Sequence, residues 1–401
     1  MRFGKQYLYD LPPNDIIKLG ALAQQLQQEA QTSGEQLPPL ARLQIGEPIF
    51  STPEHIRLAA IEAIEHEPIT YGPPAGWHWL RELLAEKVER VDGYSVTPEH
   101  IAVAVGGTGA IQASLTATVS VGDEVLIPDP HWPQYIVQLA ACGAIGVPYS
   151  LDPENEWLPD VTQLEKLVTS RTRLLIVNSP NNPTGVVISP QLMHDLLNFA
   201  NRYGLYLLSD ECYDQIIFER KHVSPASMLS REEFESGRCI CIYSFSKTYA
   251  MTGWRLGYIV AGTQLMKTII HVLDGSYANV STIIQRAGAA ALTGSQECVT
   301  EMCGAYHRRR DLAIDVLKSL GRYAYTPQGA FYLLINVSDK MSQSYNVGQF
   351  VLDLLKKHNV VVAPGNVFGS MTGKYVRISL AASEEEIERG LRGICEFASS
   401  G

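Results

Sequence analysis

Short apolar runs alternate with longer amphipathic segments through the middle of the chain. From about residue 95 the runs are HIAVAVGG, DEVLIPDP, RLLIVNSP, LYLLSDE and CICIYSFS. Runs with so few polar interruptions are typical of strands that are buried on both faces of a parallel sheet. The segments between them, such as SPQLMHDLLNFANRYG, have the length of helices. The pattern therefore predicts an α/β region with a mainly parallel sheet.

The two ends of the chain have different patterns. The stretch NDIIKLGALAQQLQQEAQTSGEQLPP opens with an Asn-Asp cap candidate and closes with Ser-Gly and Pro-Pro, which predicts one long N-terminal helix. After about residue 300 the pattern predicts a helix over AYHRRRDLAIDVLKSLG, a strand over GAFYLLINV and a helix near 347–358. The run KYVRISLA and a final helix follow. This C-terminal region is expected to form a smaller α+β lobe.

The length of 401 residues exceeds what one hydrophobic core usually supports. We expect a large domain over residues 51–295 and a small domain over 296–401. Residues 1–50 are expected to pack with the small domain.

Composition and charge exclude several classes of protein. A hydrophobic content of 46% with 18% charged residues is typical of a soluble globular protein. The net charge of −10 and the pI near 5.5 argue against nucleic acid or an anionic membrane as partner. MRFGKQYLYDLPPND lacks the apolar core of a signal peptide, and no run reaches about 18 apolar residues. A cytoplasmic location is expected.

The sequence gives no sign of a metal site. Its seven cysteines have no paired C-x-x-C spacing, and its ten histidines have no metal-ligand spacing. We expect the cysteines to be reduced and mostly buried. Arg308, Arg309 and Arg310 are expected on the solvated face of a helix. His78, between two tryptophans, suggests either a substrate entrance or a packed aromatic loop.

Glycines or polar side chains follow four of the predicted strands, where ligands bind in open parallel sheets. Gly106, Gly107, Thr108 and Gly109 lie between a strand and a helix, so backbone N–H groups there suit a phosphate. A tight turn is an alternative explanation, since the spacing matches no established phosphate loop. In DPHWPQY, Trp132 is either a ligand-facing ring or core filler.

The remaining strand ends carry a turn and an acidic residue. NSPNNPTG marks a turn. Asp210 directly follows an apolar strand, and Tyr213 comes three residues later. A buried carboxylate is costly without a cation, so Asp210 is expected to have a cationic partner. Lys247 lies in the hydroxyl-rich loop SFSKTYAMTGWRLGY, eight residues before Arg255.

Taken together, the motifs resemble one family. The chain resembles a fold-type I pyridoxal-phosphate-dependent aminotransferase of class I/II, in the aspartate aminotransferase superfamily. The resemblance runs from about residue 45 to 390, and its motifs occur in the order YGPPAG, GGTGA, DPHWPQY, NNPTG, DECY, SFSK, GWRLG, GAFY and VRIS. It implies a large domain with a mainly parallel seven-stranded sheet sandwiched by helices, plus a smaller α+β domain.

The resemblance also implies roles for residues around pyridoxal 5'-phosphate. Lys247 matches the lysine that forms a Schiff base with the cofactor and moves the substrate proton. Asp210 matches the carboxylate that pairs with the ring nitrogen, which keeps the ring an electron sink. Tyr213 and Asn182 match residues that hydrogen-bond the phenolic oxygen, and Trp132 matches the ring that stacks on the cofactor.

Other matched residues bind the phosphate and the substrate. The phosphate-binding set comprises Gly107, Thr108, Gly109, Ser244 and Arg255. Tyr71 matches a tyrosine that reaches the phosphate of the neighbouring subunit, so a homodimer with shared active sites is expected. The substrate-binding set comprises Gly46, Asn182 and Arg377, with Arg377 clamping the α-carboxylate.

The resemblance thus implies transfer of an amino group between an L-amino acid and a 2-oxo acid. Other reactions at the same site, namely C–S β-elimination, cyclisation and oxidation, share every motif. A regulator with a DNA-binding head is a further alternative, but it needs a basic segment before the resemblance. Only some 40 residues without that character precede it.

Overall fold

The computed structural model describes residues 15–34 and 36–400 of the chain. Its helices, in order α1 to α14, are Asp15–Ser33, Glu54–His66, His78–Lys87, Gly106–Thr118, Gln134–Cys142, Val161–Leu167, Pro190–Tyr203, Arg231–Glu235, Phe245–Thr248, Thr263–Tyr277, Thr282–Thr293, Glu297–Ser319, Val347–His358 and Glu384–Ser399. Its strands, in order β1 to β12, are Ala41–Arg42, Ile101–Val105, Glu124–Asp129, Ile145–Ser150, Thr172–Asn178, Tyr206–Asp210, Cys239–Ser244, Leu256–Ala261, Tyr332–Asn336, Val360–Val361, Ala363–Pro364 and Tyr375–Ser379. The long N-terminal helix is confirmed, although Asn14 of its expected cap lies outside the described residues.

A seven-stranded sheet in the order β2-β8-β7-β6-β5-β3-β4 forms the centre of the molecule. All neighbouring strands are parallel except at β8, which runs antiparallel to both β2 and β7. Residues 245–255 link β7 to β8, which is shorter than the crossover that parallel neighbours usually need. The predicted fold class is confirmed, and each of the five apolar runs overlaps one of the strands.

Both faces of this sheet are buried. In β2, Ile101 and Val103 belong to one hydrophobic cluster, whereas Ala102 and Ala104 belong to another. The alternation follows from the two-residue period of a strand. Helices α3, α7 and α11 contribute to the first cluster, and α4, α5 and α10 contribute to the second. Burial on both faces explains why these strands lack a polar side.

A third hydrophobic cluster holds the C-terminal region together. The antiparallel sheet β11-β12-β9 contributes to it with α12, α13 and α14. Strand β1 pairs in parallel with β10, aligning Ala41 with Val360, and Leu19 of α1 joins the same cluster. Helix α1 and strand β1 thus pack on the C-terminal region. The domain boundaries themselves stay a prediction.

The expectation of one solvated face for three consecutive arginines is wrong. Arg308 of α12 is exposed and Arg309 is half-buried, but Arg310 is only 2% exposed. Arg310 donates a hydrogen bond to the carbonyl of Pro327 at 2.7 Å and forms an ion pair with Glu219. Consecutive helical residues point in directions about 100° apart, so they cannot share one face.

Within the described ranges, no helix has the length and apolar character that crossing a membrane requires. The seven cysteines are free, as expected, but only Cys239, Cys241 and Cys395 are fully buried.

Candidate active site

A cavity of about 530 Å³ opens where strands of the large sheet end. Trp132 follows β3, Asp210 ends β6, Ser244 ends β7 and Gly107 follows β2. The cavity brings together most of the residues that the sequence singled out: Gly46, Gly107, Thr108, Trp132, Asn182, Asp210, Tyr213, Ser244, Lys247, Arg255 and Arg377. Because residues so far apart in the chain converge here, this cavity is the candidate active site.

Lys247 lies in α9, the short helix that begins immediately after β7. Its Nζ donates a hydrogen bond to the carbonyl oxygen of Gly46 at 2.6 Å. Burial lowers the pKa of Lys247 to about 8, and the charges of Arg255 and Arg377 act in the same direction. An amine with this pKa is partly neutral near physiological pH, so it can act as a nucleophile or a base.

Asp210 is buried at the end of β6 and accepts two hydrogen bonds. Tyr135 donates one from its hydroxyl at 2.5 Å, and the backbone N–H of Cys212 donates the other at 3.2 Å. Burial raises the pKa of Asp210. Within the described residues no cationic side chain forms an ion pair with this carboxylate. A cationic group bound in the cavity would satisfy it, as a protonated pyridine nitrogen does.

The start of α4 and the side chain of Arg255 form a second binding feature. Gly106 has φ +68, and a Cβ there would come within 2.6 Å of Arg255 Nη2. Glycine is thus required both by the backbone conformation and by the close guanidinium. Arg255 Nη1 donates to the carbonyl of Thr252 at 2.9 Å, which orients the group. Free N–H groups of a helix N-terminus beside an arginine suit a phosphate.

Arg377 of β12 is buried between two aromatic rings. Its guanidinium carbon lies 4.4 Å from the ring centre of Tyr332 and 4.7 Å from that of Phe368. Nη1 donates to Asn182 Oδ1 at 3.1 Å, and Nη2 donates to the carbonyl of Gln44 at 2.5 Å. Its Nε is buried without a hydrogen-bond partner. This unsatisfied donor fits a ligand carboxylate.

Tyr332 is a cavity residue that the sequence reasoning did not assign. Its hydroxyl lies 2.7 Å from the hydroxyl of Tyr213. A Cβ on Gly46 would come within 2.0 Å of the same hydroxyl, so only glycine fits there. The motif GAFY contained the signal for Tyr332, but only the fold shows which residues it contacts.

Helix α1 also lines the cavity, which the sequence did not indicate. The lining residues of this helix are Ile16, Ile17, Gly20, Ala21 and Gln24. The polar residues of α1 gave no signal for this role, because the helix reaches the cavity only through tertiary packing.

Three residues of interest lie outside the cavity lining. Gly109 lies within α4, where a Cβ would approach the side chain of Val105 at 3.3 Å rather than the cavity. Tyr71 is 88% exposed. His78 is exposed at the start of α3 and lies 3.4 Å from Glu82, so neither expectation for His78 holds within the single chain.

Two groups in the described part of the chain have metal-like geometry: Glu62 with Glu65 and His66, and Glu219 with His307 and Asp311. Both groups are largely exposed, and neither lines the cavity. Exposed acidic groups of this kind are common without a metal.

The fold and the cavity suit an enzyme that binds a phosphate group and a carboxylate. The family model "Aminotransferase class I and II" matches residues 38–394. The chain belongs to the class I and II aminotransferases, a family of enzymes that depend on pyridoxal phosphate.

Individual relatives agree with this assignment. An aspartate/prephenate aminotransferase of Thermus thermophilus is 37% identical over 88% of this chain and 89% of its own length. Aromatic-amino-acid aminotransferase 2 of Thermococcus litoralis is 36% identical over 94% of both chains. A structure of the Thermus thermophilus aspartate aminotransferase with maleate has a TM-score of 0.90 at 35% identity, covering 99% of this chain and 100% of that one. The names favour amino-group transfer over elimination, cyclisation or oxidation.

Proposed function

We propose that the cavity binds pyridoxal 5'-phosphate beside Lys247 and exchanges an amino group between an L-amino acid and a 2-oxo acid. The observation that carries the proposal is the convergence of Lys247, Asp210 and Arg255 with the unsatisfied Nε of Arg377 in one cavity. When bound, the cofactor supplies an aldehyde that links to amines and a ring that withdraws electrons from the substrate Cα.

Residues of this chain would bind the different parts of the cofactor. Arg255, Ser244 and the first N–H groups of α4 would hold the phosphate, while Asp210 would face the ring nitrogen. Asn182 and Tyr213 would hydrogen-bond the phenolic oxygen, and Trp132 would cover the ring.

Substrate binding and proton transfer fall to two cationic side chains. Arg377, with Gly46 beside it, would bind the α-carboxylate and so orient the substrate. Lys247 Nζ, with its pKa lowered to about 8, would take the proton from the substrate Cα.

Arg42 points to a substrate class. It lines the cavity and is exposed, and its side chain forms no hydrogen bond or ion pair with any described residue. The other cations in the lining are Lys247, Arg255 and Arg377, each of which already has a role. A second carboxylate on the substrate would pair with Arg42. Relatives named for aspartate and prephenate, which are both dicarboxylates, agree with this choice.

We further propose a homodimer with shared sites, located in the cytoplasm. Helix α2 exposes Leu58, Ile61 and Ile64 along one side, and Ile69 and Tyr71 follow along the chain. Exposed apolar surface of this extent is typical of a protein interface. Across it, Tyr71 would contact the phosphate in the partner's cavity.

Borohydride reduction tests the role of Lys247. Reduction of the cofactor-loaded protein is expected to leave the cofactor on the peptide that holds Lys247, and Lys247→Ala should lose nearly all turnover. Lys87→Ala is no useful control because Lys87 is buried in an ion cluster. Lys221→Ala is the matched control, because Lys221 is exposed and lies outside the cavity. Label on another lysine would contradict the proposal.

A further inference from the structure

Asp129 is buried at the end of β3 and binds a segment from the C-terminal region. Its carboxylate accepts hydrogen bonds from Ser370 N at 3.0 Å, Ser370 Oγ at 2.6 Å and Met371 N at 3.2 Å. Gly369 has φ +134, and a Cβ there would come within 2.0 Å of Asp129 Oδ1. The carboxylate and the segment therefore fit closely only with glycine at position 369.

The neighbouring residues add a second link between the same two segments. The backbone N–H of His131 donates to the carbonyl of Phe368 at 2.7 Å. Phe368 is thus held directly through its own carbonyl and indirectly through Asp129, which binds the two residues after Gly369. The connection joins the end of a large-sheet strand to a turn that lies far away in the sequence.

The segment that Asp129 binds includes Phe368, which lines the active-site cavity. Phe368 is fully buried, lines the cavity, and lies with its ring centre 4.7 Å from the Arg377 guanidinium. Tyr332 is the other ring near that guanidinium, at 4.4 Å. Two flat rings beside a planar guanidinium restrict its orientation together with the hydrogen bonds to Asn182 and Gln44, so moving one ring weakens that restraint.

We propose that Asp129 is a positioning residue for recognition of the substrate carboxylate, acting through Phe368 on Arg377. The inference rests on the proposed function of the cavity. Asp129 does not line the cavity, and its contacts lead through Phe368 to Arg377 rather than to Lys247. Its effect is therefore expected on substrate affinity rather than on proton transfer. A carboxylate accepts stronger hydrogen bonds from these three donors than an amide does. An asparagine at position 129 would also turn its NH2 group towards one or more of the donors.

The test compares Asp129→Asn, Phe368→Leu and the double variant in the loaded enzyme. We expect Asp129→Asn to raise KM for amino-acid donors about tenfold while kcat stays within about twofold, the range of a lost hydrogen bond to a charged group. The visible spectrum of the bound cofactor should not change. If Asp129 acts through Phe368, the double variant should raise KM no more than Phe368→Leu alone.

Glu124→Gln is the matched control, because Glu124 is also buried and begins the same strand. It accepts hydrogen bonds from Thr169 Oγ1 at 2.6 Å and Arg171 Nε at 3.0 Å, away from the cavity. This variant should lower the melting temperature without raising KM. An unchanged KM in folded Asp129→Asn, multiplicative effects in the double variant, or an equal rise in KM for Glu124→Gln would each overturn the inference. Failure of the proposed function would give a different result from failure of this inference, because the unmodified enzyme would then turn over no amino acid.

Discussion

Lys247 depends for its chemistry on residues that are distant from it in the sequence. Gly46 supplies the carbonyl that holds its amine, and Arg255 and Arg377 add positive charge near it. Burial has the largest effect on its pKa and makes the charged form unfavourable. The sequence identifies the lysine by its motif, but the state of its amine follows from the folded cavity.

The lowered pKa of Lys247 predicts how its reactivity depends on pH. In the protein without cofactor, acylation of Lys247 by an amine-selective reagent should rise with pH and level off above its pKa of about 8. Only the neutral amine reacts, so the lowered pKa moves the midpoint below that of an ordinary lysine, near 10.4. Peptide mass spectrometry across a pH series measures the midpoint. Nα-acetyl-lysine, which keeps a free ε-amine, is the control, and a Lys247 midpoint at or above 10 would contradict the assigned environment.

The sequence predicts some site residues better than others for a physical reason. Asp210 lies directly at a strand end, where parallel-sheet geometry alone predicts a ligand contact. Tyr135, which holds Asp210, and Phe368, which lies beside Arg377, reach their places only through contacts between distant segments. A pattern along one chain does not contain such pairings.

At the scale of elements, two strands of the large sheet show where the apolar pattern is incomplete. β4 is an edge strand whose residues are mostly half-exposed or exposed, so it lacks a continuous apolar run. β8 is fully buried, and the period of its side chains gives no strand direction. Its antiparallel orientation follows from the connection through α9, which also carries Lys247. The central strands of the sheet could therefore be predicted from the sequence. The edge strand β4 and the antiparallel direction of β8 could not.

Strand β1 is a two-residue element with consequences for substrate choice. Its pairing with β10 fixes the stretch that follows, in which Gln44 binds Arg377 and Gly46 binds Lys247. The same pairing places Arg42 at the cavity. One short strand thus positions Gln44 beside Arg377, Gly46 beside Lys247, and Arg42, which we propose binds a second carboxylate.

Arg42→Gln should therefore change substrate preference without disturbing the fold. We expect kcat/KM for aspartate or glutamate to fall about tenfold or more, the loss of one charge-assisted contact. The values for asparagine and glutamine should stay within about twofold, because these amides lack the second charge. Arg308→Gln is the matched control, since Arg308 is exposed on α12 and does not line the cavity. Equal losses for acids and amides would contradict a role for Arg42 in selectivity.

At the scale of the whole molecule, the surface near residues 58–71 is the main feature that a single chain leaves unexplained. Tyr71 exposes 88% of its surface, and Leu58, Ile61 and Ile64 are each about half exposed. An isolated chain gains nothing from apolar side chains in water, whereas a two-fold partner would bury the same patch from both subunits. In this arrangement each active site is complete only in the dimer.

Subunit mixing tests whether the sites are shared. Lys247→Ala and Tyr71→Ala proteins are prepared separately, unfolded, and refolded together at equal amounts, with different tags so that mixed dimers can be isolated. If Tyr71 serves the partner's cavity, one site of each mixed dimer carries both defects and the other carries neither. Random pairing makes half of the dimers mixed, and one of the two sites in each mixed dimer is intact. The activity of the unseparated mixture should therefore reach about one quarter of the wild-type value.

The alternative gives a different result with the same proteins. If Tyr71 served its own chain, every site in a mixed dimer would keep one defect, and activity would equal the average of the two parents. The assay is run at limiting cofactor, where loss of a phosphate contact lowers occupancy. Isolated mixed dimers without a gain over the parents, or a Tyr71→Ala parent with wild-type cofactor affinity, would reject shared sites while leaving the roles of Lys247 and Arg255 within one chain intact.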